Sequence, residues 1–332
     1  MVGKLCNIVC MQRSKQFLFS IIAMSLSMAL CLVAAEAFIR LKNSSMTNYD
    51  IEMWRYANLL KIRSDDPAID FDHVRSKTAT LQNVEIRLNK EGLRGPELEA
   101  KPARRILFLG GSITLGWGVP EKETVEARLQ QMFAEAGQKV EILNGGVGNY
   151  NTERYVSRFF KNFTALEPTD IVVHYFLRDA ETLPPGGGNW FLRHSQIALT
   201  LWIATHRLFD KQGEETLVQH YKTAYEPDAP GFKVMQQQLQ RLADYARVHN
   251  IRLTLAMVPD VHNLKDYPFS FIHEIMKSIA ERNGYRYVDL LPALQGRSPE
   301  ELWAMPGDPH PNALGHELMA QALFPVLKAA GK

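Results

Sequence analysis

The chain has 332 residues, 46% of them hydrophobic and 22% charged, which is ordinary for a globular protein and enough for one large domain with an appendage or two small ones. A formal net charge of +2 leaves no long-range field to attract nucleic acid or an acidic partner. The three cysteines, Cys6, Cys10 and Cys31, all precede residue 32, so the rest of the chain holds no disulfide, cysteine nucleophile or zinc knuckle.

From Phe17 to Ala35 runs a 19-residue stretch without charge. At 1.5 Å per residue it reaches across most of a bilayer core of about 30 Å. Lys4, Arg13 and Lys15 precede it with no acidic residue, and by the positive-inside rule the N-terminus stays in the cytoplasm while everything after Arg40 is exported. Ala35-Glu36-Ala37 has the small-x-small pattern of a signal-peptide cleavage site. An uncleaved anchor is favoured because the apolar run exceeds a usual signal core. Residues 1–16 then read as cytoplasmic, 17–39 as a transmembrane signal anchor, and 40–103 as a stalk and entry segment.

The entry segment carries a short helix around Tyr49–Ile62, a polar loop at Asp65-Asp66-Pro67 and a strand-turn pattern at Val84–Gly95. From Arg104 strands and helices alternate. Arg105–Leu109 is a buried strand ending in Gly110-Gly111, and Glu123–Ala136 has helical spacing with a stop at Gly137. Val140–Leu143 is the next strand, ending in Asn144-Gly145-Gly146, followed by a helix over Thr152–Leu166 and an apolar strand over Ile171–Phe176. After a Pro-Gly break, Trp190–Leu208 reads as an inserted helix. An ordinary buried helix is the preferred reading of it, with a lid or a membrane-lying surface as alternatives. Helix Gly231–His249, strand Leu253–Val258, helix Pro268–Asn283, strand Tyr287–Leu290 and a helix from Asn312 to Leu327 complete the order. Five apolar strands separated by helices predict a three-layer α/β/α domain with a mostly parallel sheet, preceded by a transmembrane helix.

In such sheets ligands sit at the carboxyl ends of the strands. There the sequence places Gly110-Gly111-Ser112, Asn144-Gly145-Gly146, Arg178-Asp179 and, after the last strand, Asp308-Pro309-His310. A serine in a glycine-rich turn is more often a cap or turn former than a nucleophile. Asp308-Pro309-His310 changes the balance, because in extended backbone side chains at i and i+2 point the same way. A carboxylate so placed accepts the imidazole Nδ1–H and leaves Nε2 as the base. The bland reading of the same residues is an N-cap for the last helix, by Asp308 or Asn312. His316 reads as structural, and its six-residue spacing from His310 is not that of a helical metal site.

With these residues in view a resemblance becomes specific. Phe108 to Val119, with Gly-Gly-Ser112 where the usual motif is Gly-Asp-Ser, resembles block I of the SGNH (GDSL-like) hydrolases. Asn144-Gly-Gly-Val-Gly-Asn-Tyr-Asn-Thr152 is similar to block II, with Gly146 at the oxyanion-hole glycine. Asp308-Pro-His310-Pro-Asn-Ala-Leu-Gly-His316 resembles block V in an Asp-x-His form. Block III departs from the pattern, with Arg178 where the family has the oxyanion asparagine.

The resemblance implies a flavodoxin-like SGNH catalytic domain over 104–332 and a serine esterase without metal or organic cofactor. In it Ser112 is the nucleophile, His310 the base and Asp308 its orienting acid. Ser112 and Gly146 line the oxyanion hole, with Arg178 as a third donor or a substrate-binding group, and Asn149 and Asn151 nearby as substrate contacts or substitute donors. The expected substrate is an O-acyl, most simply O-acetyl, ester on an envelope or secreted polysaccharide. A polysaccharide O-acetyltransferase with the same triad and a catalytically weak glycan-binding module are the alternatives. The expected partners are that acylated glycan and the inner membrane, with the domain on the periplasmic side and no nucleic acid.

Overall fold

A computed structural model describes residues 2–43, 48–186, 190–209, 214–305 and 308–329; the side chains of 2–14, 206–209, 214, 308 and 309 lie outside the description. The chain divides into two compact units. One comprises Met1–Ile51 with Gly187–Lys211, the other Glu52–Gly186 with Gln212–Lys332.

The larger unit is built on five parallel strands: β1 (Arg105–Gly110), β2 (Glu141–Asn144), β3 (Asp170–Phe176), β4 (Arg252–Val258) and β5 (Arg286–Asp289). Their order across the sheet is β2-β1-β3-β4-β5. This is the doubly wound arrangement, whose order reverses next to β1 and leaves a crevice at the strands' carboxyl ends. Both faces are covered, as a parallel sheet requires. Leu107, Leu109, Ile171, Val173, Leu255 and Met257 pack on one side with helices Pro230–His249 and Ser270–Arg282. Ile106, Phe108, Val172, Ala256 and Val288 pack on the other with helices Val125–Glu135 and Ala313–Ala329. The alternation along each strand is the period of two that a pleated strand imposes. At the opposite end of the sheet, Asp170 receives bidentate hydrogen bonds from both Arg104 and Arg252, at 2.7 to 3.0 Å, tying β1, β3 and β4 together.

From Glu52 onward the entry segment belongs to the α/β unit, and its Ile69, Leu81, Ile86, Leu88 and Leu93 are buried. Strands Lys77–Leu81 and Val84–Leu88 form a hairpin whose two turn residues, Gln82 and Asn83, both have positive φ (49° and 62°). Positive φ at both central positions is the two-residue turn that matches the twist of paired strands. Arg94 then bridges to Asn144 at the end of β2, its N–H donating to the Asn144 carbonyl at 3.1 Å.

In the smaller unit one helix spans Val2–Asn43. Its Lys15–Asn43 part contains an 18-residue window with a mean hydropathy of 2.4 and is long and apolar enough to cross a membrane. The inserted segment forms helices Trp190–His194 and Gln196–Phe209. The expectation of an ordinary buried helix is corrected here: Trp190, Phe191, Leu201 and Trp202 are exposed. Apolar composition predicts an apolar environment, and in this unit protein supplies that environment on only one side.

Candidate active site

Ser112 is the first residue of a four-residue helix, Ser112–Leu115, entered directly from β1 through Gly110 and Gly111. The turn is tight for a visible reason. A Cβ on Gly110 would stand 2.1 Å from Thr114 Oγ1 and 2.8 Å from the His174 carbonyl. The helix ends at Gly116 in the left-handed region (φ 77°), where a glycine costs least. The buried Arg94 holds the stretch that follows, its guanidinium donating to the carbonyls of Leu115 (2.6 Å), Gly116 (2.7 Å) and Val119 (2.7 Å). Sequence reasoning missed this clamp, since an arginine in a polar strand-turn stretch reads as a surface residue.

His310 lies on the strand Asp308–Pro311, which pairs antiparallel with Trp303–Met305. Its Nε2 is 2.7 Å from Ser112 Oγ, so the structure brings together two residues 198 positions apart. Asp308 begins the same strand, but its side chain lies outside the described residues. The cap of the last helix is Asn312, whose Oδ1 accepts the N–H groups of Leu314 (3.0 Å) and Gly315 (3.1 Å). His316 is fully buried and accepts the Val125 N–H at Nδ1 (3.1 Å). Burial pulls its pKa down to about 3, so it is neutral and structural. His174 lies beneath the serine turn, Nδ1 3.3 Å from Thr114 Oγ1, and burial brings it to about 3 as well.

The loop after β2 arranges its amides individually. Gly145 N–H donates to the Phe108 carbonyl (2.9 Å), Val147 N–H to that of Gly110 (3.2 Å) and Gly148 N–H to the Tyr56 hydroxyl (3.0 Å). Gly146, the expected oxyanion donor, is buried and gives its N–H to Asn144 Oδ1 at 3.0 Å. The same Asn144 amide donates to the Thr114 carbonyl (2.6 Å) and to Glu126 Oε2 (3.1 Å), linking the loop to the serine helix. Asn149 is exposed, has φ of 60°, and its N–H has no hydrogen-bond partner among the described residues. Its peptide carbonyl neighbour, Gly148 O, accepts from Lys61, which burial brings down to about 7. An asparagine is among the few non-glycine residues that occupy this backbone region readily, and that is the sequence signal at Asn149.

Asn151 is buried with both ends of its amide engaged: Oδ1 caps helix Thr152–Arg158 through the Arg154 N–H (3.1 Å), and Nδ2 donates to the Glu181 carbonyl (2.8 Å). Arg178 sits on the turn after β3 with its side chain about half exposed, and its Nε is 3.4 Å from Glu181 Oε2. Among the described residues no group of three or more His, Cys, Asp or Glu side chains converges as a metal site.

Two buried acids flank this framework. Burial pushes Glu126 and Asp179 each up to about 8. In the unfolded chain they titrate near 4, so between roughly pH 4.5 and 8 the folded state holds protons that the unfolded state has lost. Stability therefore falls as pH rises through this window. The melting temperature of Glu126→Gln is expected to decline less steeply between pH 5.5 and 8 than that of the wild type, by several degrees over the interval. Parallel melting curves for the two proteins would count against a protonated Glu126.

The family model of the GDSL-like lipase/acylhydrolases matches residues 108–318. Among solved structures, the chain is similar to an alpha/beta hydrolase enzyme from the metagenome of Lake Arreo (19% identity over 69% of this chain and 96% of that one, TM-score 0.44). It is similar also to the psychrotrophic esterase of a Pseudoalteromonas species (14%, 69% and 100%, 0.43) and to an acetyl-xylooligosaccharide esterase from Geobacillus (15%, 69% and 95%, 0.44). No curated protein matches. The family match spans the serine turn, the Asn144 loop and His310, and the chain belongs to the GDSL-like lipase/acylhydrolase family as a serine esterase of the SGNH type.

Proposed function

We propose that the protein hydrolyses carboxylic esters through an acyl-enzyme on Ser112, and that its substrate is an O-acylated, most simply O-acetylated, glycan of the cell envelope. The observation that carries the chemistry is the 2.7 Å approach of Ser112 Oγ to His310 Nε2 at the carboxyl ends of the strands. In this reading His310 takes the Ser112 proton as Oγ attacks the carbonyl carbon, then returns it to the leaving alkoxide; water activated by the same imidazole resolves the acyl-enzyme. Asp308 orients the imidazole from the preceding position but one. The oxyanion is received by the backbone N–H groups of Ser112 and Asn149, the latter in place of Gly146, whose N–H is engaged by Asn144. Lys61 on the Gly148 carbonyl polarises the same peptide unit that presents the Asn149 N–H. The glycan assignment rests on the family and on export: the Lys15–Asn43 helix, behind basic residues, anchors the chain in the inner membrane with the α/β unit on the periplasmic side. The test is fluorophosphonate labelling of the full chain with the modified residue mapped: Ser112 is expected, and any other serine overturns the reading.

Arg178 belongs to the rim in this mechanism. Its guanidinium is half exposed and pairs with Glu181, an arrangement worth about 1 kcal/mol or less. Arg178→Ala is expected to change turnover of p-nitrophenyl acetate by less than about threefold, because a true oxyanion donor costs about 10²–10³ when removed. A loss in that higher range would show that Arg178 contacts the developing charge.

A further inference from the structure

Glu36 is the first charged residue after the Phe17–Ala35 run, and in the folded chain its carboxylate is fully engaged. It accepts the backbone N–H groups of Gln196 (2.8 Å) and Ile197 (3.1 Å) and the Ser195 hydroxyl (3.0 Å), and it pairs with Arg40 at 2.7 Å. Arg40 donates onward to the His194 carbonyl at 2.7 Å, and the buried pair Asn43 and Gln196 joins at 2.9 Å. The long helix thus supplies, from a residue about 160 positions distant, the acceptors that the first turn of helix Gln196–Phe209 lacks. Because Glu36 stands where the apolar run ends, the second helix starts at the depth of the membrane edge.

That second helix is apolar around most of its circumference: Ile197, Ala198, Leu199, Leu201, Trp202, Ile203 and Ala204 follow one another with a single threonine between them. Leu199 is turned inward at 6% exposure, whereas Leu201 (61%) and Trp202 (45%) face outward, as do Trp190 and Phe191 (65% each) in the preceding turn. An outward face of this composition requires an apolar medium beyond it. With 14 residues it is about 21 Å long, too short to cross a core of about 30 Å, which leaves the interfacial position. Tryptophan concentrates at that boundary. The long helix continues the same kind of surface at this level, with Phe38 and Leu41 exposed at 67% and 74%.

We infer that Trp190–Thr205 is a second membrane-embedded element, lying in the headgroup and upper acyl region of the bilayer beside the anchor and fastened to it by the Glu36 cap. The inference rests on reading the N-terminal helix as a membrane anchor, and it gives a reason for its retention. Cleavage before Ala37 or after it would remove Glu36 and leave the N–H groups of Gln196 and Ile197 without acceptors.

The test uses the full chain in vesicles of phosphatidylethanolamine and phosphatidylglycerol, with Cys6, Cys10 and Cys31 replaced by serine. A single bimane-labelled cysteine is introduced as Leu201→Cys or Trp202→Cys, with Val248→Cys, on an exposed position of the α/β unit, as the aqueous control. Lipids brominated in the acyl chain are expected to quench the probes at 201 and 202 by half or more and to leave the probe at 248 unchanged. Adding Glu36→Ala is expected to reduce the quenching at 201. If both inner probes stay as bright as the control while the vesicle-bound protein retains its full mass, the inference fails and the anchor stands. Oxidant-driven disulfide crosslinking between unlabelled Leu201→Cys chains, with no quenching of the labelled ones, would replace lipid by a second copy and equally overturn it. A protein that leaves the vesicles with Phe38 at its N-terminus refutes the anchor, and the inference with it.

Discussion

Ser112→Ala is expected to lower kcat for p-nitrophenyl acetate by about 10⁴–10⁶-fold, and His310→Ala to do the same. The two side chains form one proton-transfer unit across a 2.7 Å contact, so removing either disables the other, and the double variant should be scarcely worse than the singles. The fold should survive both changes. Ser112 makes no side-chain cap, and alanine suits the first position of the Ser112–Leu115 helix. His310 sits on a two-stranded ribbon outside the main sheet. Kinetics with circular dichroism on each variant decide the matter: a folded Ser112→Ala protein that still turns over the ester removes Ser112 as nucleophile. Asp308→Ala should cost less than either, since it orients the imidazole without exchanging the transferred proton.

The sheet was legible because its strands are continuous apolar runs, such as Ile106–Leu109 and Ile171–Val173, and the helices between them end at glycines that the left-handed region demands, as at Gly137 and Gly284. Boundaries shifted by one or two residues where a cap decides them: the helix expected from Glu123 begins at Val125, because Thr124 is its N-cap. The helix expected over Thr152–Leu166 tightens and loosens along its length, passing to a π-turn at Phe159–Phe163. The approach of Ser112 and His310 was readable from motif order alone. Three features were not. Lys77–Leu81 is too polar to announce itself as a strand, and only pairing with Val84–Leu88 makes it one. The Arg94 clamp depends on carbonyls that tertiary folding turns toward it. The identity of the free amide in the Asn144 loop depends on which N–H each neighbour has taken, and no one-dimensional pattern records that. The inserted helix failed differently: Leu, Ile and Trp at helical spacing fit a protein core and a lipid boundary equally well.

Gly146→Ala is expected to destabilise the α/β unit by about 3 kcal/mol or more, seen as a lowered urea midpoint or a failure to fold. An added Cβ would stand 2.1 Å from the Leu115 nitrogen, 2.6 Å from the Thr114 carbonyl carbon and 2.8 Å from Leu115 Cα. All three atoms are backbone, so no rotamer change relieves the clash; the Ser112–Leu115 helix itself must move. Activity should fall with stability, because that helix carries the nucleophile. Gly111→Ala is the comparison, since its added Cβ would meet only the Tyr150 carbonyl oxygen, at 3.3 Å, and φ there is −89°. That change should leave the fold within about 1 kcal/mol of the wild type. The contrast separates two roles for the loop. Alanine keeps the Gly146 N–H, so a loss there reports the packing of the loop and not a missing donor. The donor role at Asn149 makes the complementary demand. Asn149→Gly keeps both the N–H and the positive φ and should retain activity, whereas Asn149→Val places a β-branched residue at φ 60° and should lose it. A Gly146→Ala protein as stable as the wild type would mean that the two loops are less tightly packed than a 2.1 Å approach requires.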